Sequence, residues 1–124
     1  MEKPIRKLHT MKSATRLLKD FYKGKILSKK STEFLLAVMY RTSTGLNKIV
    51  EQLPKSTKVA HKTGSSGKNE DGLIGAENDI AIITLPNGKT YAIAIFVSDS
   101  METWEVNCKM ISDISKVVFE NLEK

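Results

Sequence analysis

Apolar residues recur every three or four positions in the first part of the chain, a spacing that places them on one face of an α-helix. One such run follows Thr10, a residue type that caps helix N-termini, and Gly24 is placed to end this helix. A second run predicts a helix from Ser31 to about residue 41, and a short third helix is predicted over 46–53, before Pro54. The residues predicted to be buried are Met11, Ala14, Leu17, Leu18 and Phe21 in the first helix and Phe34, Leu35, Val38 and Met39 in the second.

The apolar period then falls from roughly 3.6 residues to two, which predicts β-strands. Three strands are expected, over 58–63, 80–85 and 90–97, and the last two are joined by a turn at 86–88. Both later strands are apolar on both faces, so helices must cover the sheet on two sides. One cover is a last helix over about 101–122, whose inner stripe is Trp104, Cys108, Ile111, Ser115, Val118 and Leu122.

The length of 124 residues suits one domain. It divides into a helical part, 1–54, and a part with three strands and the last helix, 55–124. The predicted fold class is α+β, an α/β sandwich of three antiparallel strands with helices before and after them. We expect this sandwich to be incomplete, because the strand over 90–97 would form a long apolar sheet edge with nothing to pair with it.

Composition excludes several classes of function. The net charge of +6 could suit an anionic partner, but many of the twenty Lys and Arg residues interleave with apolar residues on the first helices, as on a solvated helix face, so we expect no nucleic-acid partner. No apolar run reaches the ~20 residues of a membrane span, and the first residues lack the apolar segment of a signal peptide. The single cysteine, Cys108, excludes an intrachain disulfide and a cysteine zinc site, and we predict no metal or cofactor.

Lys62-Thr63-Gly64 ends the first predicted strand and leads into Ser65 and a glycine-rich loop. A strand end that presents one fixed cation, one hydroxyl and free backbone N–H groups suits an anionic ligand. The residues alone leave a plain edge and turn open as an alternative. His61 points away from Lys62 across the strand, and we interpret it as a packed histidine rather than a base.

The segment 61–67 at a strand end, the hairpin after it, the apolar third strand and the last helix together resemble the C-terminal part of a class A serine β-lactamase, most closely the enzymes of Bacteroides and its relatives. The helices over 10–53 resemble the part that follows the omega loop in that family. The resemblance implies hydrolysis of β-lactam antibiotics through a serine acyl-enzyme, hence antibiotic resistance, and a periplasmic or secreted location.

The resemblance also implies roles for four residues. Lys62 matches the motif lysine, whose ammonium helps to hold the substrate carboxylate and shapes the field around the nucleophile. Thr63 matches a hydroxyl that binds the same carboxylate, and Gly64 leaves room for the ligand. Ser65 matches the position whose backbone N–H is one of two oxyanion donors. A basic residue commonly assists the motif lysine, and here Arg41 or Lys48 would have to do so.

The family mechanism further needs an S-x-x-K nucleophile motif, an S-D-N loop and an omega-loop glutamate. The stretch 65–68 fits S-x-x-K only formally, because it lies in a glycine-rich loop, while 98–100 and 112–114 only approach S-D-N. In the family all three elements precede the part that this chain resembles. We therefore expect the chain to lack the nucleophile, to be inactive alone and to require an N-terminal half.

Two alternatives stay open. The chain could be part of a penicillin-binding transpeptidase or carboxypeptidase, which shares the Lys-Thr-Gly motif but lacks the deacylating glutamate. It could instead be a small non-enzymatic module that binds an anion or a partner through its basic helices and the loop after Lys62. Such a module should be a monomer that melts cooperatively, whereas a partial lactamase should aggregate or need its other half.

Overall fold

A computed structural model describes residues 10–124, so the first nine residues of the predicted helical part lie outside it. The strands form one antiparallel sheet in the order β1-β2-β3, which confirms the predicted α+β class. None of the helices in the described part of the chain is long and apolar enough to cross a membrane. The elements are α1 (Met11–Tyr22), α2 (Lys29–Tyr40), β1 (Lys58–Ser65), β2 (Ile74–Thr84), β3 (Thr90–Ser100) and α3 (Trp104–Leu122).

Different helices cover the two faces of the sheet. Alternation along β1 sends Val59 to one face and Ala60 to the other. Val59 belongs to a core cluster that contains Ile111 of α3, whereas Ala60 belongs to a second cluster with Leu18 of α1 and Met39 of α2. The strands that are apolar on both sides are thus covered on both sides, as predicted.

Serine and threonine caps fix where the helices begin. Thr10 accepts a hydrogen bond from the backbone N–H three residues later, so α1 begins where the sequence predicts it. The second helix was predicted to begin at Ser31, and this is wrong. Ser28 is the cap, because its hydroxyl accepts from the Ser31 N–H at 3.2 Å, which places Ser31 inside the first turn.

The buried face of α2 also differs from the prediction. Met39 is buried as expected. Phe34 is 70% exposed, and Leu35 and Val38 are exposed as well. The helix instead turns Thr32 inward, where only 6% of it is exposed. This burial is tolerated because the Thr32 hydroxyl donates to the Ser28 carbonyl oxygen at 2.8 Å and therefore needs no water.

Among residues predicted to be buried in α1, Met11 and Leu17 are exposed.

The predicted helix over 46–53 is wrong, since this segment is a series of tight turns. Its backbone hydrogen bonds span three residues rather than the four of an α-helix. Ile49 shows the reason, because its backbone groups bond to other elements. The Ile49 N–H donates to Asp79 Oδ2 at 3.2 Å, and its carbonyl oxygen accepts from the Ser115 hydroxyl at 2.9 Å.

Strand β2 begins at Ile74, six residues before the predicted start at Ile80. The polar residues of 74–79 obscure the strand in the sequence, yet they pair with β1 on one side and β3 on the other. The turn between β2 and β3 is confirmed: Gly88 takes a positive φ of 85°, and Leu85 N–H donates to the Lys89 carbonyl at 2.8 Å. Strands β1 and β3 extend two and three residues beyond their predicted ends, to Ser65 and Ser100.

Helix α3 packs the middle of its predicted stripe against the sheet. Cys108, Ile111 and Ser115 are buried, whereas Trp104 and Leu122 at the two ends are exposed. Cys108 is only 1% exposed, and burial raises the pKa of its thiol, so it is a core residue as predicted rather than a nucleophile.

The side chain of Ile111 is fully buried, whereas that of Ile114 on the same helix is 49% exposed. Replacing Ile111 with alanine should therefore lower the free energy of unfolding by about 2–5 kcal/mol, because it leaves a cavity. Ile114→Ala, the matched control, should change it by less than about 1 kcal/mol. Urea unfolding of each variant, carried out together with the N-terminal half that the chain is expected to need, measures both values, and equal losses would contradict the assigned core.

Candidate functional site

Strand β1 is an edge of the described sheet, and the outer side of its last residues is open. The Ser66 N–H donates to the Ala76 carbonyl at 2.9 Å, toward β2. Backbone groups of successive residues in a strand face opposite sides, so the N–H groups of Thr63 and Ser65 face away from β2. The carbonyl of His61, two residues before Thr63, also faces away from β2, since it accepts a hydrogen bond from the Thr42 hydroxyl at 2.8 Å, outside the sheet.

We call residues 62–65 the β1 edge site. Lys62 and Ser65 are exposed and Thr63 is half-buried, so all three side chains are near solvent. The Lys62 ammonium donates to the Thr63 carbonyl oxygen at 2.5 Å, so the Lys62 side chain lies along the strand. Within residues 10–124, no carboxylate lies at ion-pairing distance from Lys62, so its positive charge is available to a ligand.

The loop after α2 fixes Thr63. The Thr44 and Thr63 hydroxyls lie 3.1 Å apart and share a hydrogen bond. Gly45 follows with a positive φ of 62°, and a Cβ atom at this position would overlap the Thr63 methyl group. A glycine here therefore permits both the backbone conformation and the close approach of the loop to the site.

A buried ion pair lies behind the site. Lys48 Nζ contacts Glu77 Oε1 at 2.5 Å, and their side chains are only 3% and 0% exposed. Lys48 also donates to the Asn78 carbonyl at 3.1 Å, and the Ser65 hydroxyl donates to Glu77 Oε2 at 2.8 Å. Of the two basic residues predicted to assist Lys62, Lys48 thus already has a carboxylate partner, while Arg41 is exposed at the end of α2.

Sequence reasoning missed Glu77. Its signal was the period of two along β2, because Glu77, Asp79 and Ala81 occupy successive positions on the face that packs against α3. His61 is buried on this face as predicted, and its Nδ1 lies 3.3 Å from Asp79 Oδ1. The Asp79 carboxylate therefore orients the imidazole inside the core.

The structure does not assemble the weaker motif matches. Ser65 ends a strand and Lys68 forms an isolated bridge with Ile74, so this S-x-x-K match is not helical. The two partial S-D-N matches lie in β3 and α3. In the described range, no three His, Cys, Asp or Glu side chains are grouped as metal ligands.

Sequence comparison identifies the family. A model of the β-lactamase enzyme family matches residues 2–122, nearly the whole chain. The chain belongs to the β-lactamase enzyme family. Among individual β-lactamases, it is 49% identical over 112 residues to β-lactamase VEB-1 of Pseudomonas aeruginosa, a match that covers 89% of the chain and 37% of that protein. It is 42% identical to a β-lactamase of Bacteroides uniformis, with coverage of 96% and 40%.

Solved β-lactamase structures have the same fold. The TLA-3 extended-spectrum β-lactamase superposes with a TM-score of 0.91 at 53% identity, covering 93% of the chain and 42% of the other protein. A class A β-lactamase from Bacteroides cellulosilyticus gives a TM-score of 0.88 at 41% identity, with coverage of 92% and 41%. The resemblance to class A enzymes is confirmed. The chain spans less than half the length of these β-lactamases.

The fit between Gly45 and Thr63 can be tested by substitution. Gly45→Ala should destabilise the fold by about 1–2 kcal/mol through its positive φ, and by a further 1–3 kcal/mol, roughly, through overlap with the Thr63 methyl. Gly24 provides the matched control, because it has a positive φ of 75° but open space around it. Gly24→Ala should show only the first loss in urea unfolding. Equal losses would mean that the loop does not press on Thr63.

Proposed function

We propose that this chain is the C-terminal part of a serine β-lactamase and that its β1 edge site binds the β-lactam. The observation that carries this proposal is the open edge at residues 62–65, where two outward N–H groups lie beside an ammonium that has no carboxylate partner among the described residues. A β-lactam offers a carboxylate and an amide carbonyl, which are the groups such an edge would recognise.

In the proposed reaction, a serine outside this chain attacks the lactam carbonyl carbon. The carbonyl oxygen gains negative charge, and the outward N–H of Ser65 donates to it. The C–N bond then breaks, which leaves an acyl-enzyme that water hydrolyses. A donor aimed at the charged oxygen stabilises the transition state more than the ground state, so Ser65 would act mainly on the rate of acyl transfer.

The other residues of the site would hold the substrate. The Lys62 ammonium attracts the substrate carboxylate, and the Thr63 hydroxyl can donate to it while accepting from Thr44. Gly64 has no side chain that would obstruct the ligand. Lys48 is neutralised by Glu77, so we assign the substrate's carboxylate chiefly to Lys62.

Two further features support a missing N-terminal part. Strand β3 is the second edge of the described sheet, and its residues 91–97 are mostly apolar. Phe34 and Val38 of α2 are exposed, as an apolar face would be when its covering segment is absent. The β-lactam, the N-terminal part, a role in antibiotic resistance and a periplasmic or secreted location all belong to this proposal.

A penicillin-binding transpeptidase or carboxypeptidase is the second candidate. The chain superposes on the structure of PBP-A with a TM-score of 0.77 at 28% identity, and a structure of a single-residue mutant of that protein is an acyl-enzyme complex with penicillin G. The two candidates differ in the fate of the acyl-enzyme. A β-lactamase releases it by hydrolysis, whereas a penicillin-binding protein retains it.

Turnover of nitrocefin tests the need for a second part. The purified chain alone should show none, because removal of the nucleophile leaves only the small effects of binding and oxyanion donation. Co-expression of the chain with the N-terminal part of β-lactamase VEB-1 should restore turnover. Hydrolysis by the chain alone would overturn the proposal. The segment that precedes this chain in its own gene separates the two candidates, because an omega-loop glutamate there predicts hydrolysis and its absence predicts a retained acyl-enzyme.

In the restored enzyme, Lys62→Ala should lower kcat/KM by about 10- to 100-fold, the loss expected for one charged hydrogen bond to the substrate. Lys68→Ala removes another exposed charge, from the adjacent loop, and serves as the control. It should leave kcat/KM within about twofold, since a charge that makes no hydrogen bond to the substrate acts only through a field that salt screens. Equal effects of the two substitutions would argue against a specific role for Lys62.

A further inference from the structure

Glu77 is a carboxylate with 0% of its side chain exposed, and it lies directly behind the β1 edge site. The register of β1 and β2 pairs Glu77 with Ser65. Ser65 and Glu77 form a non-hydrogen-bonded pair, because such pairs alternate with hydrogen-bonded ones and the backbone hydrogen bond here joins the next pair, Ser66 and Ala76. Side chains are closest in such pairs, so the register itself brings the carboxylate to the Ser65 hydroxyl.

A buried carboxylate is costly to desolvate unless each oxygen has a partner. Here Oε2 accepts from the Ser65 hydroxyl at 2.8 Å, whereas Oε1 accepts no hydrogen bond from the described residues and is compensated by the charge of Lys48, 2.5 Å away. Lys48 therefore offsets the negative charge that would otherwise repel an anion at the edge. Packing alone would not require this arrangement, since an apolar pair of similar volume can replace a buried ion pair without loss of stability.

The end of β1 depends on side-chain hydrogen bonds. Ser66 Oγ accepts from the Ala76 N–H at 3.0 Å, taking the place of a backbone carbonyl. Ser65 Oγ lies 3.4 Å from the Gly67 N–H, where the chain turns away with a positive φ of 70°. The Ser65 hydroxyl thus connects Glu77 to the first residues of the loop, at the point where the backbone ladder ends.

We propose that Glu77 is a positioning residue for the β1 edge site. By holding the Ser65 hydroxyl from behind, it fixes the strand end in the conformation that aims the Ser65 N–H outward. Glu77 contacts no ligand in this role, and it acts only through Ser65. The expected effect on turnover rests on the proposed function, whereas the effect on the Ser65 side chain does not.

Two double variants separate positioning from the burial of an ion pair. Lys48→Met with Glu77→Gln removes both charges but keeps an oxygen that can accept from Ser65. Lys48→Met with Glu77→Leu removes both charges and the acceptor. In the enzyme restored with the N-terminal part of the VEB-1 relative, the Leu variant should have a kcat/KM about five- to tenfold below the Gln variant, the loss expected for one hydrogen bond. Lys116→Met with Glu120→Leu, which removes an exposed pair on α3, should leave kcat/KM unchanged.

A double-mutant cycle shows whether the effect passes through Ser65. Ser65→Ala keeps the backbone N–H but removes the hydroxyl, so in this background the Leu and Gln variants should have equal kcat/KM. A difference that persists in the Ser65→Ala background, or no difference in the original one, would overturn the proposal. If the variant with Glu77→Leu does not associate with the N-terminal part, the activities of Ser65→Ala and Ser65→Thr are compared instead. Threonine keeps a hydroxyl, so Ser65→Thr should retain more activity than Ser65→Ala.

NMR three-bond couplings of Ser65 give a readout that needs no turnover. The Gln variant should keep one χ1 rotamer at Ser65, and the Leu variant should average over several. Identical couplings in the two variants would overturn the positioning role even in an active enzyme. If the restored, unsubstituted enzyme does not hydrolyse β-lactams, the proposed function fails, and the couplings still decide the role of Glu77.

Discussion

The central strand β2 buries the carboxylates of Glu77 and Asp79 on one face. The residues that pair with these two carboxylates shape the surroundings of the β1 edge. Glu77 binds the Lys48 ammonium, and Asp79 binds the His61 ring and the Ile49 N–H. Two of these partners, Lys48 and Ile49, lie in the segment 42–53, whose own backbone hydrogen bonds span three residues and form no α-helix. The segment is therefore shaped by charges on a strand, and it in turn holds Thr63 through Thr44 and Gly45.

The same face explains what the sequence could and could not predict. Periodicity located the three helices and three strands of the described residues, because these features depend on local spacing, but it also predicted a helix over 46–53 that does not form. The Lys-Thr-Gly motif marked the end of β1, where the open edge lies. The start of β2 was missed because Glu77 and Asp79 occupy inward positions where apolar residues are expected. Thr32 misled the prediction of α2 in the same way. The partners of Glu77 and Asp79 are remote in sequence, so no local pattern reveals them. Thr32 bonds to Ser28 four residues away, and its burial was missed because threonine is usually exposed.

The two lysines near the edge illustrate how burial changes what a charge can do. Lys48 and Lys62 carry the same group, but Lys48 is enclosed with a carboxylate while Lys62 lies in solvent without one among the described residues. The first offsets the charge of Glu77 and contributes little net field outside the interior. The second acts across water at the open side of the strand, where its attraction for anions falls as the ionic strength rises. Counting positive residues in the sequence could not separate these roles.

The outward N–H of Ser65 belongs to the backbone, so a substitution there keeps the donor itself and changes only the side-chain contact that holds it. Nineteen amino-acid types carry that hydrogen, whatever their side chains, and only proline lacks it. A ligand that bonds to the edge in this manner extends the sheet as a short extra strand. Recognition then depends on the direction of a peptide group more than on the identity of the residue that carries it. Alanine scanning, which changes only side chains, would leave this donor in place and so would underestimate the position.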